Sequence, residues 1–260
     1  MTTLLEKDGA PSLTDDQIEH LRERGWVVLR GIISPDKLLG YRPALRDYIM
    51  GHREKMDDVE RAMGASAKKT MFSLGEAPTT VSEFVKSPLL GEIAAQLLGV
   101  DAVRVLHFCG FFKSGGGPPT PWHQDLSYIP LDTDKLLSLW IPLTGITPDM
   151  GALVFAEGSH LHGLSDKPWL AGEHFPLVQT GSMEAGDISV HMGWTLHASL
   201  KNKSTQMREA LAVCYYSDGA RIQTRGDVPF MRGLMNSCFA GLRPGDQAAG
   251  PLNPVVYRRQ

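Results

Sequence analysis

Over the first hundred residues the apolar positions recur at helical spacing. Residues 13–24, LTDDQIEHLRER, put Ile18 and Leu21 on one side with Trp26 beyond them, and Thr14 followed by Gln17 has the form of a capping box, so a helix is predicted. Gly25 ends it, and the β-branched run WVVLRGII predicts a short strand. Ser34-Pro35 opens a second predicted helix over 35–56, with Leu38, Leu39, Leu45, Ile49 and Met56 as its buried stripe. Residues 57–82 are mixed and turn-prone, and a third helix is predicted over 87–98, after Ser87-Pro88.

After Gly99 the pattern changes. VRVLHFCGFF, KLLSLWIPL, GALVFAEG, DISVHMGW and REALAVCYY are short apolar or alternating runs separated by Gly, Pro, Asp and Asn, as strands are. Helices first and strands afterwards, without βαβ alternation, predict an α+β fold with a mainly β core, an antiparallel sandwich or barrel. No repeat or long linker divides the chain. One domain over 1–260 is expected: a helical part at about 13–98, a β core at about 100–220 and a C-terminal extension at 221–260.

Composition narrows the function classes. At 42 % hydrophobic and 21 % charged, the chain has the make-up of a folded globule, and at 260 residues folding hides roughly three quarters of the unfolded surface. A net charge of −3 with no basic block argues against a nucleic-acid partner. No apolar run reaches the roughly 18 residues of a membrane span, and the N-terminus lacks a basic-then-apolar signal pattern, so no membrane partner is expected. Cys109, Cys214 and Cys238 are too few and too scattered for a disulfide framework or a cysteine-rich zinc site, which fits a reducing cytoplasm.

The candidate chemistry starts at PWHQDLSYIP. His123 and Asp125 are two apart, so on a strand both side chains leave one face and an imidazole and a carboxylate can chelate one metal ion. A third ligand must come from elsewhere, with His107, His160, His162, His174, His191 and His197 as candidates. Two histidines and one carboxylate form the facial triad typical of Fe(II) sites, which leaves three positions open for O₂ and a co-substrate. Arg208 begins the strand after His197, and beyond it Ala210, Ala212 and Cys214 share one face and are small. A guanidinium at the end of a face so emptied describes a slot for an acidic small molecule; an exposed arginine on an edge strand is the plainer alternative.

At these residues the sequence resembles the phytanoyl-CoA dioxygenase family of Fe(II)- and 2-oxoglutarate-dependent oxygenases, over about residues 13–220. LTDDQIEHLRERGWVVLRGIIS is similar to the family's N-terminal helix and strand, HQDLSYIPLDTDKLLSLWIPL to its proximal-ligand segment, and GDISVHMGWTLHASLKNKSTQMREAL to its distal one; DMGALVFAEGSHLHG lies between. The resemblance implies a double-stranded β-helix, a cupin-like jelly roll with N-terminal helices packed outside. It implies His123, Asp125 and His197 as iron ligands, Arg208 and Ser199 on the distal carboxylate of 2-oxoglutarate, and Trp140 against the co-substrate. Cys109 would be an inward residue beside it, and Lys69 (or its neighbour Lys68) a lysine that reaches it. Fe(II), 2-oxoglutarate and O₂ are the implied cofactor and co-substrates, with a small organic molecule as the substrate and hydroxylation the expected outcome. A monomer or homodimer is expected. Tyr128, Trp169, Trp194, Phe230 and Met231, and the cations Arg221, Arg225 and Arg232, fall in or near irregular segments where binding residues gather, although each is also an ordinary packing or surface residue. The rivals are a cupin-like metal protein or a non-catalytic relative, neither turning over 2-oxoglutarate.

Overall fold

The computed structural model describes residues 13–51, 70–223 and 229–260. Helix α1 (Asp15–Arg24) starts at the predicted capping box, with Thr14 Oγ1 accepting from the Gln17 amide and Gln17 Oε1 accepting from the Thr14 amide. It stops at Gly25, whose φ of 82° lets the chain turn directly into strand β1 (Trp26–Leu29). Helix α2 (Pro35–Gly51) buries Leu38, Leu45 and Ile49 as the stripe predicts, but Leu39 is exposed and Met56 lies outside the described residues. The turn-prone stretch resolves at its end into strand β2 (Thr70–Phe72) and helix α3 (Thr79–Val85), with α4 (Pro88–Leu98) following on Ser87-Pro88.

The strands that follow are β3 (Ala102–Gly110), β4 (Thr120–His123), β5 (Leu136–Pro142), β6 (Leu153–Ala156), β7 (Leu177–Gln179), β8 (Ile188–Met192), β9 (His197–Ser199), β10 (Ala210–Ser217) and β11 (Val255–Arg258). Short helices α5 (Ala171–His174) and α6 (Pro229–Cys238) interrupt them. They form two antiparallel sheets. The larger runs β1-β8-β5-β10-β3-β11, with β2 on the free edge of β3, and the smaller runs β4-β9-β6-β7. This is the expected jelly roll with helices outside.

Alternation along β10 shows how the sequence divides the interior. Leu211, Val213 and Tyr215 join the layer beneath the helices, with Leu38, Leu45, Phe84, Leu90 and Ile93. Each large apolar side chain so buried contributes roughly 2 kcal/mol. The intervening Ala210, Ala212 and Cys214 face the other way. Ala212 and Cys214 leave a cavity between the sheets that bulkier residues would fill.

Candidate active site

Four side chains on the inner face of the large sheet form one transverse row. Strand register pairs His191 of β8 with Ser138 of β5, Ser138 with Cys214 of β10, and Cys214 with His107 of β3. Opposite this row, β4 ends at His123 and β9 begins at His197, which pair directly. Asp125 is not on a strand with His123, as its spacing predicts; β4 has ended and Asp125 opens a single turn of 3-10 helix. Gln124 pins that turn. Its amide donates to Gly163 O and Trp194 O at 2.7 Å each, and its carbonyl accepts from the Ser165 amide at 2.8 Å.

His123, Asp125 and His197 bring one ligand atom each within 4.8 Å of one another. The Asp125 Oδ1 atom stands 3.6 Å from His123 Nε2 and 3.8 Å from His197 Nε2. Each histidine is fixed from behind: Nδ1 of His123 faces Pro121 O at 2.9 Å, and Nδ1 of His197 faces Thr195 O at 3.0 Å. A carbonyl only accepts, so both rings carry a proton on Nδ1 and turn Nε2 toward Asp125. His197 is buried, and burial, then the neighbouring histidines His191 and His123, hold its pKa well below the usual value. Two imidazoles with one carboxylate are a donor set that fits a divalent iron ion.

The other oxygen of Asp125 is held separately. Ser138 Oγ donates to Oδ2 at 2.7 Å and His191 Nε2 lies 3.2 Å from it. His191 thus orients the carboxylate rather than completing the triad. Cys214 Sγ lies 3.0 Å from Ser138 Oγ and 3.4 Å from His107 Nε2, extending the polar row across the sheet. Sequence spacing had no means of showing these partners, because register alone brings four separate strands into one line.

Along the cavity from the triad, Arg208 is 1 % exposed, so the edge-strand alternative is excluded. Its guanidinium lies 5.2 Å from the centroid of the Trp140 ring and donates to Gly151 O, while Nε has no hydrogen-bond partner. Burial lowers its pKa to about 10, which leaves it a cation at neutral pH. Ser199 Oγ donates to Thr120 Oγ1 at 2.8 Å, and Lys113 Nζ donates to Ser199 Oγ at 2.7 Å. Cys109, Trp140, Ser199 and Arg208 all line the cavity with the triad. Sequence reasoning missed Thr120, which lines the same cavity, and Lys113, which borders it through Ser199. Lys68, Lys69 and Arg225 lie outside the described residues.

The other candidates are elsewhere. His160 bonds to Arg22 O, His162 lies against Phe175, and His174 is exposed in α5. Trp169 is 66 % exposed, Met231 is buried, and Trp194 packs on a separate core cluster that includes Leu126 and Phe239. Tyr128, Trp169, Trp194 and Met231 do not line the triad cavity.

Comparison with known proteins agrees with this geometry. Residues 21–210 match the phytanoyl-CoA dioxygenase (PhyH) family. A phytanoyl-CoA dioxygenase of Arabidopsis thaliana is 25 % identical, over 81 % of this chain and 91 % of the relative. Among solved structures, the non-heme alpha-ketoglutarate-dependent carbocyclase SnoK from nogalamycin biosynthesis superposes with a TM-score of 0.75 at 24 % identity, covering 95 % of this chain and 97 % of that one. EctD from S. alaskensis, solved with 2-oxoglutarate and 5-hydroxyectoine, gives a TM-score of 0.69 at 18 % identity, covering 100 % and 92 %. These two share the jelly-roll fold. With the profile match spanning well over half of its length, the chain belongs to the phytanoyl-CoA dioxygenase family.

Proposed function

We propose that this protein is a non-haem Fe(II)- and 2-oxoglutarate-dependent dioxygenase that oxidises a small organic molecule, most simply by hydroxylation. The observation that carries the reading is the pairing of two sites in one cavity: a His-Asp-His donor set, and a buried arginine with no carboxylate partner among the described residues. His123, Asp125 and His197 would hold the metal on one side. When bound, Fe(II) with 2-oxoglutarate and O₂ supplies the oxidation, giving succinate and CO₂. Arg208 and Ser199 fix the distal carboxylate of the acid, and Trp140 and Cys109 form the wall along its chain. The buried inner faces exclude bulk water, which strengthens each of these polar contacts.

The carboxylate of Asp125 bears on the outcome. Related halogenases carry a small residue at this place to admit halide, so a carboxylate here favours hydroxylation or another halide-free oxidation. A cupin-like metal protein that ignores 2-oxoglutarate would have no use for Arg208 and Ser199 at the far end of the cavity. Folding in the cytoplasm, as a monomer or homodimer, completes the reading.

The test is turnover of 2-oxoglutarate to succinate by triad variants. Asp125→Ala and His197→Ala should abolish it while circular dichroism stays that of wild type; succinate at the wild-type rate from either would overturn the ligand assignment. Arg208→Ala should raise the apparent KM for 2-oxoglutarate by about tenfold to a hundredfold, the effect of losing a charge-assisted bidentate contact. An unchanged KM would show that another group holds the acid.

A further inference from the structure

One more cation than that reading uses stands beside the acid-binding end of the cavity: Lys113 lines an adjoining hollow with Thr120 and Arg208 and reaches the cavity through Ser199. Lys113 and Arg208 oppose each other across an antiparallel bridge, exchanging N–H to O bonds of 2.9 and 2.8 Å. Residues so opposed send their side chains to the same face, and two like charges there destabilise one another. The lysine is nonetheless firmly seated. Asn202 Nδ2 donates to its carbonyl at 3.0 Å. Its stem runs past Gly117 and Gly151, where a Cβ would come 2.8 Å from Lys113 Cγ and 3.4 Å from Lys113 Cδ. Two of its three N–H donors go to Ser199 Oγ and Leu200 O, at 2.7 Å each.

The surrounding charges do not neutralise this pair. Glu209, next to Arg208 in the chain, turns away to Arg42 and Arg46 on α2. The Asp149 carboxylate accepts from Thr147 Oγ1, and Lys201 and Lys203 are exposed. Among the described residues, neither Lys113 nor Arg208 forms an ion pair with a carboxylate. A serine-threonine hydroxyl pair, a buried guanidinium and an ammonium therefore converge where an anion would reconcile them.

We propose that Lys113 is a second positioning cation for the distal carboxylate of 2-oxoglutarate, and that the acid brings a proton from solvent onto Lys113 Nζ as it binds. The inference rests on the reading that Arg208 and Ser199 receive that carboxylate. Burial first, and the charge of Arg208 second, lower the pKa of Lys113 to about 7, so above that pH the amine is mostly neutral without the acid. A carboxylate set between the two cations cancels the second cause and favours the ammonium. Below pH of about 7 binding then needs no proton; above it, affinity falls until the pKa of the bound state is passed, by about tenfold in all.

The test is calorimetric titration of the anaerobic Fe(II)-loaded protein with 2-oxoglutarate, at several pH values and in buffers of different ionisation enthalpy. Wild type should take up about half a proton per acid at pH of about 7.5, with Kd rising by about tenfold in all between pH of about 6 and 9. Lys113→Met should bind about tenfold more weakly at pH of about 6.5, take up no proton and show a flat profile, and Lys113→Arg should restore affinity without restoring uptake. Absence of proton uptake in wild type would overturn the proposal, as would uptake that survives in Lys113→Met; the wild-type measurement decides even if the variant does not fold. If Arg208→Ala leaves Kd unchanged, the underlying placement of the acid fails. If Arg208→Ala weakens binding and neither lysine variant changes affinity or uptake, only the role of Lys113 fails.

Discussion

Asp125 is held at both oxygens, one turned to the histidines and the other to Ser138 and His191. This division keeps Oδ1 aimed at a metal while Oδ2 is occupied by the protein. Ser138→Ala removes the shorter of the two Oδ2 contacts without touching a ligand, and about tenfold weaker Fe(II) affinity is expected in a chelator-competition titration. Unchanged affinity would show that His191 suffices. Lys113 makes a second claim at this scale, about stability without ligand. Its pKa is lowered from the ordinary 10.5 to about 7, so the folded state binds its proton less tightly than the unfolded one. The cost is fully present below the folded value and is relieved as pH rises from about 7 toward 10.5. The melting temperature of Lys113→Met minus that of wild type should therefore fall between pH of about 6.5 and 9.5; a constant difference would contradict the assigned shift. In the sequence, His123 and Asp125 are legible from spacing and type, while His197 and Arg208 are chosen among their alternatives only by the family resemblance. Ser138 and Lys113 are not legible, because each acquires its role only from the strand that register places beside it.

The long elements follow from their patterns: the capping box opens α1, Ser87-Pro88 opens α4, and β3, β5, β8 and β10 fall on the apolar runs. The apolar pattern does not predict β2, α3, β4, β7, α5, β9, α6 or β11, most of them short. TPWH and HAS have no alternation to detect because their side chains face a polar site instead of a core. One connection is set by a single glycine. Gly186, at φ 91°, accepts from the Ile33 amide at 3.0 Å, and a Cβ there would lie 1.9 Å from Ile33 O. Gly186→Ala adds left-handed strain to a backbone collision at the join between β1 and β8, and a loss of about 3 kcal/mol or more is expected in denaturant unfolding. A loss under about 1 kcal/mol would mean that the two segments separate freely.

On the scale of the molecule, the two faces of the large sheet have different work. Its outer face is closed by α2, α3 and α4 over the largest apolar cluster, which supplies rigidity. Its inner face, thinned to Ala212 and Cys214 on β10 and crossed by the His191–Ser138–Cys214–His107 row, meets the small sheet around the triad and the arginine. Strand texture alone predicts an antiparallel β core; the family resemblance was needed to name the jelly roll and to choose His197 over His191. The central claim is that metal and acid share this one cavity. It is tested most directly by adding Fe(II) and then 2-oxoglutarate to metal-free protein without oxygen, and following the weak visible charge-transfer band of an iron-chelated keto acid. The band should appear in wild type and be absent in His197→Ala. Iron binding with no band in wild type would contradict the account.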